Sequence, residues 1–188
     1  MINEDNLLIK PNLMKYRLNS PSLGKKEIGY VNSALKSNWL SFGGKNTKIF
    51  EKKFAKFLGI KHVLAVQSGT AALHLALKAV NIKPGDNVII PNYSCVASIS
   101  STTQSSAKPV VVEVENDTLG LDFSLIKNAI KKYNPKALQL VHVYGFPARD
   151  SLKIKKYCNK KKITLIEDCS EALGAEINNR KVGTLGDI

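Results

Sequence analysis

Short, nearly continuous apolar runs alternate along the chain with longer stretches in which apolar and polar residues are mixed. The apolar runs are rich in β-branched residues and lie at residues 63–66, 87–90, 109–114, 137–143 and 163–166. Runs of this kind are typical of strands that are covered on both faces. We therefore predict a β-strand at each of these positions.

The mixed stretches have the spacing of amphipathic helices. Helices are predicted at residues 25–37, 47–57, 70–80, 96–104, 123–133 and 151–161. Asp122 is the expected N-cap of the helix at 123–133, because its side chain can accept free N–H groups of the first turn. The alternation of strands and helices predicts an α/β fold with a mostly parallel sheet flanked by helices.

Two short segments have the composition of turns. Residues 83–86 (Lys-Pro-Gly-Asp) predict a tight turn that leads into the strand at 87–90. Residues 180–183 predict a short turn that leads onward.

Charge raises the question of a nucleic-acid partner. The 188 residues carry a net charge of +13, from 28 Lys+Arg against 15 Asp+Glu. The lysines are scattered, and the only arginines are Arg17, Arg149 and Arg180. Because arginine is the residue that favours bidentate phosphate and base contacts, we predict a solvated lysine-rich surface and no nucleic-acid partner. A basic binding module for nucleic acid or other anionic partners stays the alternative.

Location and redox state follow from simple patterns. No run of 18 or more apolar residues occurs, and residues 1–10 lack the apolar stretch of a signal peptide. We expect a cytoplasmic protein without a membrane span. Cys95, Cys158 and Cys169 lack metal-ligand spacing, so we expect free thiols.

The segment Ser68-Gly69-Thr70 follows one predicted strand and opens a predicted helix. A helix N-terminus has unpaired N–H groups and a partial positive charge, and glycine allows close approach of a ligand. These features are typical of a phosphate-binding site. An ordinary N-cap is the alternative, which the local sequence alone favours.

Two acids, Glu167 and Asp168, follow the last predicted strand. Ligands of open α/β sheets bind at the carboxyl ends of strands, so Asp168 is a candidate ligand contact. A helix N-cap carboxylate and a metal ligand are the alternatives, although no histidine is near in sequence and we predict no metal site. His142, late in an apolar run, is interpreted as a core or supporting group rather than a proton-transfer catalyst.

Several segments together resemble the DegT/DnrJ/EryC/StrS family of sugar aminotransferases, which are fold-type I enzymes that use pyridoxal 5'-phosphate (PLP). The segments are LGKKEI (23–28), SGTAALHLAL (68–77), PGDNVIIP (84–91), EDCSEALGA (167–175) and GD (186–187). The resemblance implies that residues 1–21 are a lead-in and that 22–188 are part of the PLP-binding large domain.

The resemblance also implies roles for individual residues. Gly69 and Thr70 would hold the cofactor phosphate, and Asp168 would pair with the pyridine nitrogen. Glu171 would lie near the ring hydroxyl, where many relatives have glutamine. Cys95 would pack on the ring face, where many relatives have an aromatic residue that stacks, and Tyr93 is a candidate substitute.

The activity that the resemblance implies is transfer of an amino group from an amino acid, expected to be glutamate, to a nucleotide-linked keto sugar. In the family a Schiff-base lysine lies beyond the position of Ile188, and a smaller domain follows. We therefore expect this chain to be inactive alone and the complete enzyme to be a homodimer, with the turn at 39–44 near the partner's site. A non-catalytic fragment and the PLP-dependent dehydratase branch of the family are the alternatives.

Overall fold

The computed structural model describes residues 21–41 and 43–188. The chain divides into two units, between Lys48 and Ile49. In the first unit, helix α1 (Lys25–Lys36) begins where the carboxylate of Glu27 accepts the backbone N–H of Gly24 at 2.8 Å. Helix α2 (Lys45–Leu58) begins in the first unit and ends in the second. Apart from Pro21, the expected lead-in at 1–21 lies outside the described residues, as does Phe42 of the turn at 39–44.

The second unit contains a parallel sheet of four strands, β1 (Asn87–Pro91), β2 (Lys108–Val112), β3 (Ala137–Val141) and β4 (Thr164–Asp168), which lie in the order β2-β1-β3-β4. Its elements run, in chain order, as α3 (Gly69–Ala79), β1, α4 (Ala97–Gln104), β2, α5 (Phe123–Tyr133), β3, α6 (Ser151–Lys161) and β4. A two-stranded hairpin, β5 (Glu176–Ile177) with β6 (Arg180–Lys181), follows. The predicted α/β fold with a mostly parallel sheet is thus confirmed.

Side chains of the sheet alternate between two apolar clusters. Ile89, Leu138 and Leu165 are fully buried against α5 and α6, where they meet Ile126 and Ile154. On the opposite face, the alternate strand residues pack with residues of α3 and α4, a set that includes Val88, Ile90, Ala137, Ile166, Leu73, Leu77 and Ala97. Burial of both faces explains why the strands are nearly continuous apolar runs.

The predicted strand at 63–66 is wrong. These residues form no strand in the described structure, and the backbone N–H of Ala65 donates instead to the carboxylate of Glu51 at 2.9 Å. Leu64 and Val66 are 59% and 37% exposed. An apolar run becomes a strand only where a neighbouring strand supplies its hydrogen bonds, and none pairs with this segment among the described residues.

The remaining elements follow the sequence prediction closely. The helices at 123–133 and 151–161 have the predicted bounds, and Asp122 Oδ1 accepts the N–H groups of Ser124 and Leu125 at 2.8 and 3.1 Å. The strands predicted at 109–114 and 137–143 end earlier, at Val112 and Val141.

The two predicted turns have different outcomes. The turn at 83–86 is present, since Asp86 accepts the N–H of Lys83 at 2.8 Å and Gly85 has a φ of +85°. At 180–183 the structure differs from a simple turn, because Arg180–Lys181 is the second strand of the hairpin. The hairpin turns at Asn178 and Asn179, both with positive φ, as a tight two-residue connection requires.

All three cysteines are free thiols, as predicted. No helix within the described residues is both long and apolar enough to cross a membrane.

Candidate functional site

A cavity of about 510 Å³ opens at the carboxyl ends of the sheet strands, beside the N-terminus of α3. Its lining consists of Gly69, Thr70, Tyr93, Ser94, Cys95, Ala97, Val141, His142, Val143, Tyr144, Asp168, Ser170 and Glu171. The volume lies within the range of about 300–1,000 Å³ that is usual for small-molecule sites. All of the contacts predicted from the sequence, Gly69, Thr70, Cys95, Asp168 and Glu171, therefore lie around one cavity, and their individual roles stay predictions.

The N-terminus of α3 contributes hydrogen-bond donors to this cavity. Ser68 is extended, and its Oγ accepts the N–H of Ala71 at 3.2 Å, so Ser68 is an ordinary N-cap. The N–H groups of Gly69 and Thr70 come before the first hydrogen bond within the helix and stay available. A Cβ at position 69 would lie 3.4 Å from Ser170 Oγ, so glycine keeps open a narrow space in front of the helix.

Asp168 is the last residue of β4 and faces the same cavity. Its Oδ1 accepts two hydrogen bonds from Ser170, from the backbone N–H at 3.1 Å and from Oγ at 2.6 Å. Turns rather than a helix follow Asp168, so the alternative of a helix N-cap carboxylate is wrong. Oδ2 has no hydrogen-bond partner among the described residues and can accept a proton-bearing group of a ligand.

His142 is fully buried, and both of its ring nitrogens are engaged. Nδ1 accepts the backbone N–H of Ala148 at 2.9 Å, which places the ring proton on Nε2. Nε2 then donates to Oε1 of Glu167 at 2.9 Å. A ring with both nitrogens occupied is a supporting group, in agreement with the interpretation from the sequence.

The buried carboxylate of Glu167 accepts three hydrogen bonds. Its Oε2 accepts the backbone N–H groups of Leu185 and Gly186, each at 2.8 Å. Burial by itself raises the pKa of Glu167, but hydrogen bonds from His142 and from the backbone of the 183–186 segment outweigh burial and lower the pKa below its usual value.

No histidine is near these acids in sequence, but His142 lies next to Glu167 in the folded chain. Glu167 and His142 come close because β3 and β4 are parallel neighbours, and Cys169 completes a group whose candidate ligand atoms lie within 4.8 Å of one another. His142 and Glu167 already satisfy each other, and burial raises the pKa of the Cys169 thiol well above its usual value. The group is therefore satisfied without an ion.

Sequence reasoning did not identify Tyr144 and Ser170 as part of the site. The backbone N–H of Tyr144 donates to Oε2 of Glu171 at 3.0 Å, which ties the loop after β3 to the loop after β4. Tyr144 follows the strand that carries His142, and Ser170 lies two residues beyond Asp168. Their positions just after strand ends were the signal that could have identified them.

Comparison with known proteins gives the same picture of the chain. It is 42% identical over 168 residues to the GDP-perosamine synthase of Vibrio cholerae, a match that covers 89% of this chain and 45% of the relative. The GDP-perosamine synthase of Escherichia coli O157:H7 is 39% identical over 176 residues, with 93% and 48% covered. The chain thus spans just under half the length of these curated relatives.

Solved structures with the same arrangement include two kinds of enzyme. An aminotransferase from Psychrobacter cryohalolentis has a TM-score of 0.83 and 34% identity, with 88% of this chain and 42% of that chain covered. The E. coli GDP-4-keto-6-deoxy-D-mannose-3-dehydratase with bound hydrated PLP has a TM-score of 0.83 and 30% identity, with 91% and 45% covered. The pattern of the DegT/DnrJ/EryC1/StrS aminotransferase family matches residues 21–188, and the chain belongs to this family.

Proposed function

We propose that this chain supplies the PLP-binding part of an aminotransferase that transfers an amino group from an amino acid, expected to be glutamate, to a nucleotide-linked keto sugar. The observation that carries the proposal is the single cavity in which free N–H groups at the start of α3 and the free oxygen of Asp168 occur together. These are the two kinds of contact that a phosphorylated pyridine ring requires at its two ends.

The residues present fit this cofactor. The N–H groups of Gly69 and Thr70 and the Thr70 hydroxyl would bind the phosphate, and the narrow space at Gly69 suits close approach. Asp168 would hold a proton on the ring nitrogen, and Ser170 fixes the orientation of its carboxylate. The fit supports the assignment of all three residues.

When bound, PLP supplies a ring that takes up the negative charge that develops on the substrate carbon. A proton on the ring nitrogen strengthens this effect, and Asp168 is the group of this chain that would keep it there. Val141 and Val143 are buried apolar residues that line the cavity next to the buried His142. Glu171 would offer hydrogen-bond acceptance at the ring hydroxyl, while its Oε2 holds the loop at Tyr144.

The proposed substrate class rests on the relatives. Two relatives that are 42% and 39% identical to this chain are GDP-perosamine synthases, so we propose GDP as the nucleotide of the sugar substrate. We propose a homodimer for the complete enzyme and residues 22–188 as part of its large domain.

Protection of Cys95 tests cofactor binding without an activity assay. Cys95 is exposed and lines the cavity, whereas burial raises the pKa of the Cys158 thiol to about 12 and also raises that of Cys169. Iodoacetamide should therefore alkylate Cys95 first. A suitable probe is 4'-deoxypyridoxine 5'-phosphate, which has the ring and the phosphate but no aldehyde that could react with surface lysines. It should slow alkylation of Cys95, as measured by peptide mass spectrometry.

A matched pair of variants tests whether the phosphate of the probe binds at Thr70. Thr70→Val should lower the affinity for the probe about tenfold, because the substitution removes a hydrogen bond to the charged phosphate. Thr103→Val makes the same change on an exposed turn of α4, outside the cavity, and should have no effect. Alkylation of Cys95 at an unchanged rate in excess probe would refute the proposed cofactor site.

The dehydratase branch is a second candidate, because dehydratase structures match this chain with a TM-score of 0.83. Nucleotide sugars extracted from cells with and without the gene separate the two activities. Loss of an amino sugar on deletion is the result expected for amino transfer. Loss of a nitrogen-free deoxy sugar instead would assign the dehydratase activity.

A further inference from the structure

His142 and Glu167 form a buried pair at the ends of two neighbouring strands. Their side chains are 0% and 1% exposed, and His142 Nε2 donates to Glu167 Oε1 at 2.9 Å. The bond joins β3 to β4 beside the last positions that pair in the sheet, Val141 and Asp168. Neither side chain of the buried pair is a proposed cofactor contact.

The pair lies on the opposite side of the sheet from the Asp168 carboxylate. In β4, Leu165 packs with the cluster of α5 and α6, and Ile166 packs with that of α3 and α4. Because successive strand residues point to opposite faces, Glu167 shares the side of Leu165, and Asp168 shares that of Ile166. An effect of the pair on a ligand held by Asp168 therefore has to pass through the backbone of β4.

Backbone contacts connect the pair to Asp168. The N–H of His142 donates to the carbonyl oxygen of Asp168 at 3.0 Å, and Glu167 is the residue immediately before Asp168. β3 ends at Val141 and β4 ends at Asp168, so this backbone bond closes the ladder between the two strands. The side-chain bond between His142 and Glu167 lies next to it and resists separation of the strand ends.

Other hydrogen bonds hold the pair in one arrangement. His142 Nδ1 accepts the N–H of Ala148 at 2.9 Å, and Glu167 Oε2 accepts the N–H groups of Leu185 and Gly186 at 2.8 Å each. A Cβ at Gly186 would lie 2.9 Å from the Cβ of Glu167, so only glycine lets the backbone come this close. The pair is thus fixed from both sides, as a rigid support requires.

We propose that His142 and Glu167 are positioning residues that hold the end of β4, so that the free Oδ2 of Asp168 stays aimed at the ring nitrogen of a bound pyridine phosphate. Ser170 fixes the carboxylate relative to its own backbone, and the pair fixes that backbone. The inference rests on the proposed function, in which the ligand is PLP, and it adds two residues that act through Asp168.

Two substitutions of His142 separate positioning from general stability. The side-chain oxygen of His142→Asn can still accept the Ala148 N–H, but the side chain is too short to reach Glu167. His142→Gln can still donate to Glu167 but loses the bond to Ala148. Each variant removes one of the two ring hydrogen bonds, so urea unfolding should show similar losses of stability for both.

The deciding measurement is the pKa of the ring nitrogen of bound 4'-deoxypyridoxine 5'-phosphate, followed by the absorbance of the probe as the pH is raised. In the parent chain Asp168 should raise this pKa above that of the free probe, because a carboxylate favours the protonated ring. His142→Asn should lower it by about one unit, whereas His142→Gln should stay within about 0.3 unit of the parent chain. Inorganic phosphate, measured by displacement of the probe, should bind all three chains equally, because α3 holds it.

A second measurement needs no variant and covers the case in which a His142 variant does not fold. Hydrogen exchange of the His142 backbone N–H, followed by NMR, reports opening of its bond to Asp168. The probe at ten times its Kd should slow this exchange about tenfold, because the ring binds only when the strand ends are closed. Inorganic phosphate at the same saturation should leave the rate unchanged.

The outcomes divide cleanly. A ring-nitrogen pKa that is unchanged in His142→Asn overturns the proposal, and so does an equal fall in His142→Asn and His142→Gln. Exchange at His142 that the probe does not slow, or that phosphate slows equally, also overturns it. A parent chain that fails to bind the probe refutes the proposed function itself, a result that is visible before any variant is measured.

Discussion

Replacing Glu167 with alanine would remove a buried acceptor on which three hydrogen bonds converge. The side chain of Glu167 is 1% exposed, and it binds His142 Nε2 and the backbone N–H groups of Leu185 and Gly186. Alanine leaves these donors without a partner, in a part of the chain where water has little access. The segment at 185–188 would lose its two hydrogen bonds to this carboxylate and keep its backbone hydrogen bonds to Leu165 and Glu167 of β4.

The expected loss of stability follows from these contacts. Removing one member of a buried, hydrogen-bonded pair costs about 3–5 kcal/mol. For a domain of this size, that corresponds to a fall in Tm of roughly 10 °C. Glu176→Ala is the matched control, because its side chain is 46% exposed and 3.7 Å from Lys181 Nζ. An exposed ion pair contributes about 0–1 kcal/mol.

Urea unfolding followed by circular dichroism measures the free energy of unfolding of both variants at neutral pH. Glu167→Ala should shift the midpoint strongly and Glu176→Ala hardly at all. Equal shifts in the two variants would refute the assignment of Glu167 as a buried hydrogen-bond centre.

The pH dependence provides an independent check. Because the pKa of Glu167 in the folded chain is lowered from the usual value of 4.5, its ionised form stabilises the fold at pH values above 4.5. That contribution is lost as the pH falls below 4.5 and through the folded pKa. The stability difference between the parent chain and Glu167→Gln should therefore be constant at neutral pH and shrink in acid. A difference that grows in acid would contradict the sign of the shift.

Two further predictions concern the cavity. Asp168→Asn should weaken binding of the probe while the free energy of unfolding changes by less than about 1 kcal/mol, because the Asn side-chain oxygen can still accept the Ser170 hydrogen bonds. Probe titration and urea unfolding on the same samples measure the two quantities. A loss of unfolding free energy as large as the loss of binding free energy would contradict the prediction. The described lining of the cavity contains no lysine, so the chain alone should produce no more 2-oxoglutarate from glutamate and PLP than free PLP does. An enzymatic assay for 2-oxoglutarate measures the amount formed. A clear excess over free PLP would show that another group of the chain can support amino transfer.

The sequence by itself determined the elements whose signals are local. The helices at 123–133 and 151–161 have the predicted bounds, because apolar spacing and the Asp122 cap are properties of one short segment. The four paired strands were also predictable from their apolar runs, and the family was recognisable from the order of its motifs. Gly69 and Thr70 could be chosen as site candidates because they lie at the start of a predicted helix, and Asp168 because it lies at the end of a strand.

Only the tertiary structure decided which residues that are distant in sequence lie next to each other. The run at 63–66 has the composition of a strand, but strand formation depends on a neighbour that no local pattern encodes, and Glu51 takes one of its hydrogen bonds. His142 and Glu167 are 25 residues apart in sequence, and Tyr93 and Tyr144 are 51 apart. Their pairing follows from the parallel order β2-β1-β3-β4, which places strand ends distant in sequence at one edge of the sheet. Hydrogen bonds between such residues form only once the sheet is assembled, because no short segment of the chain contains both partners.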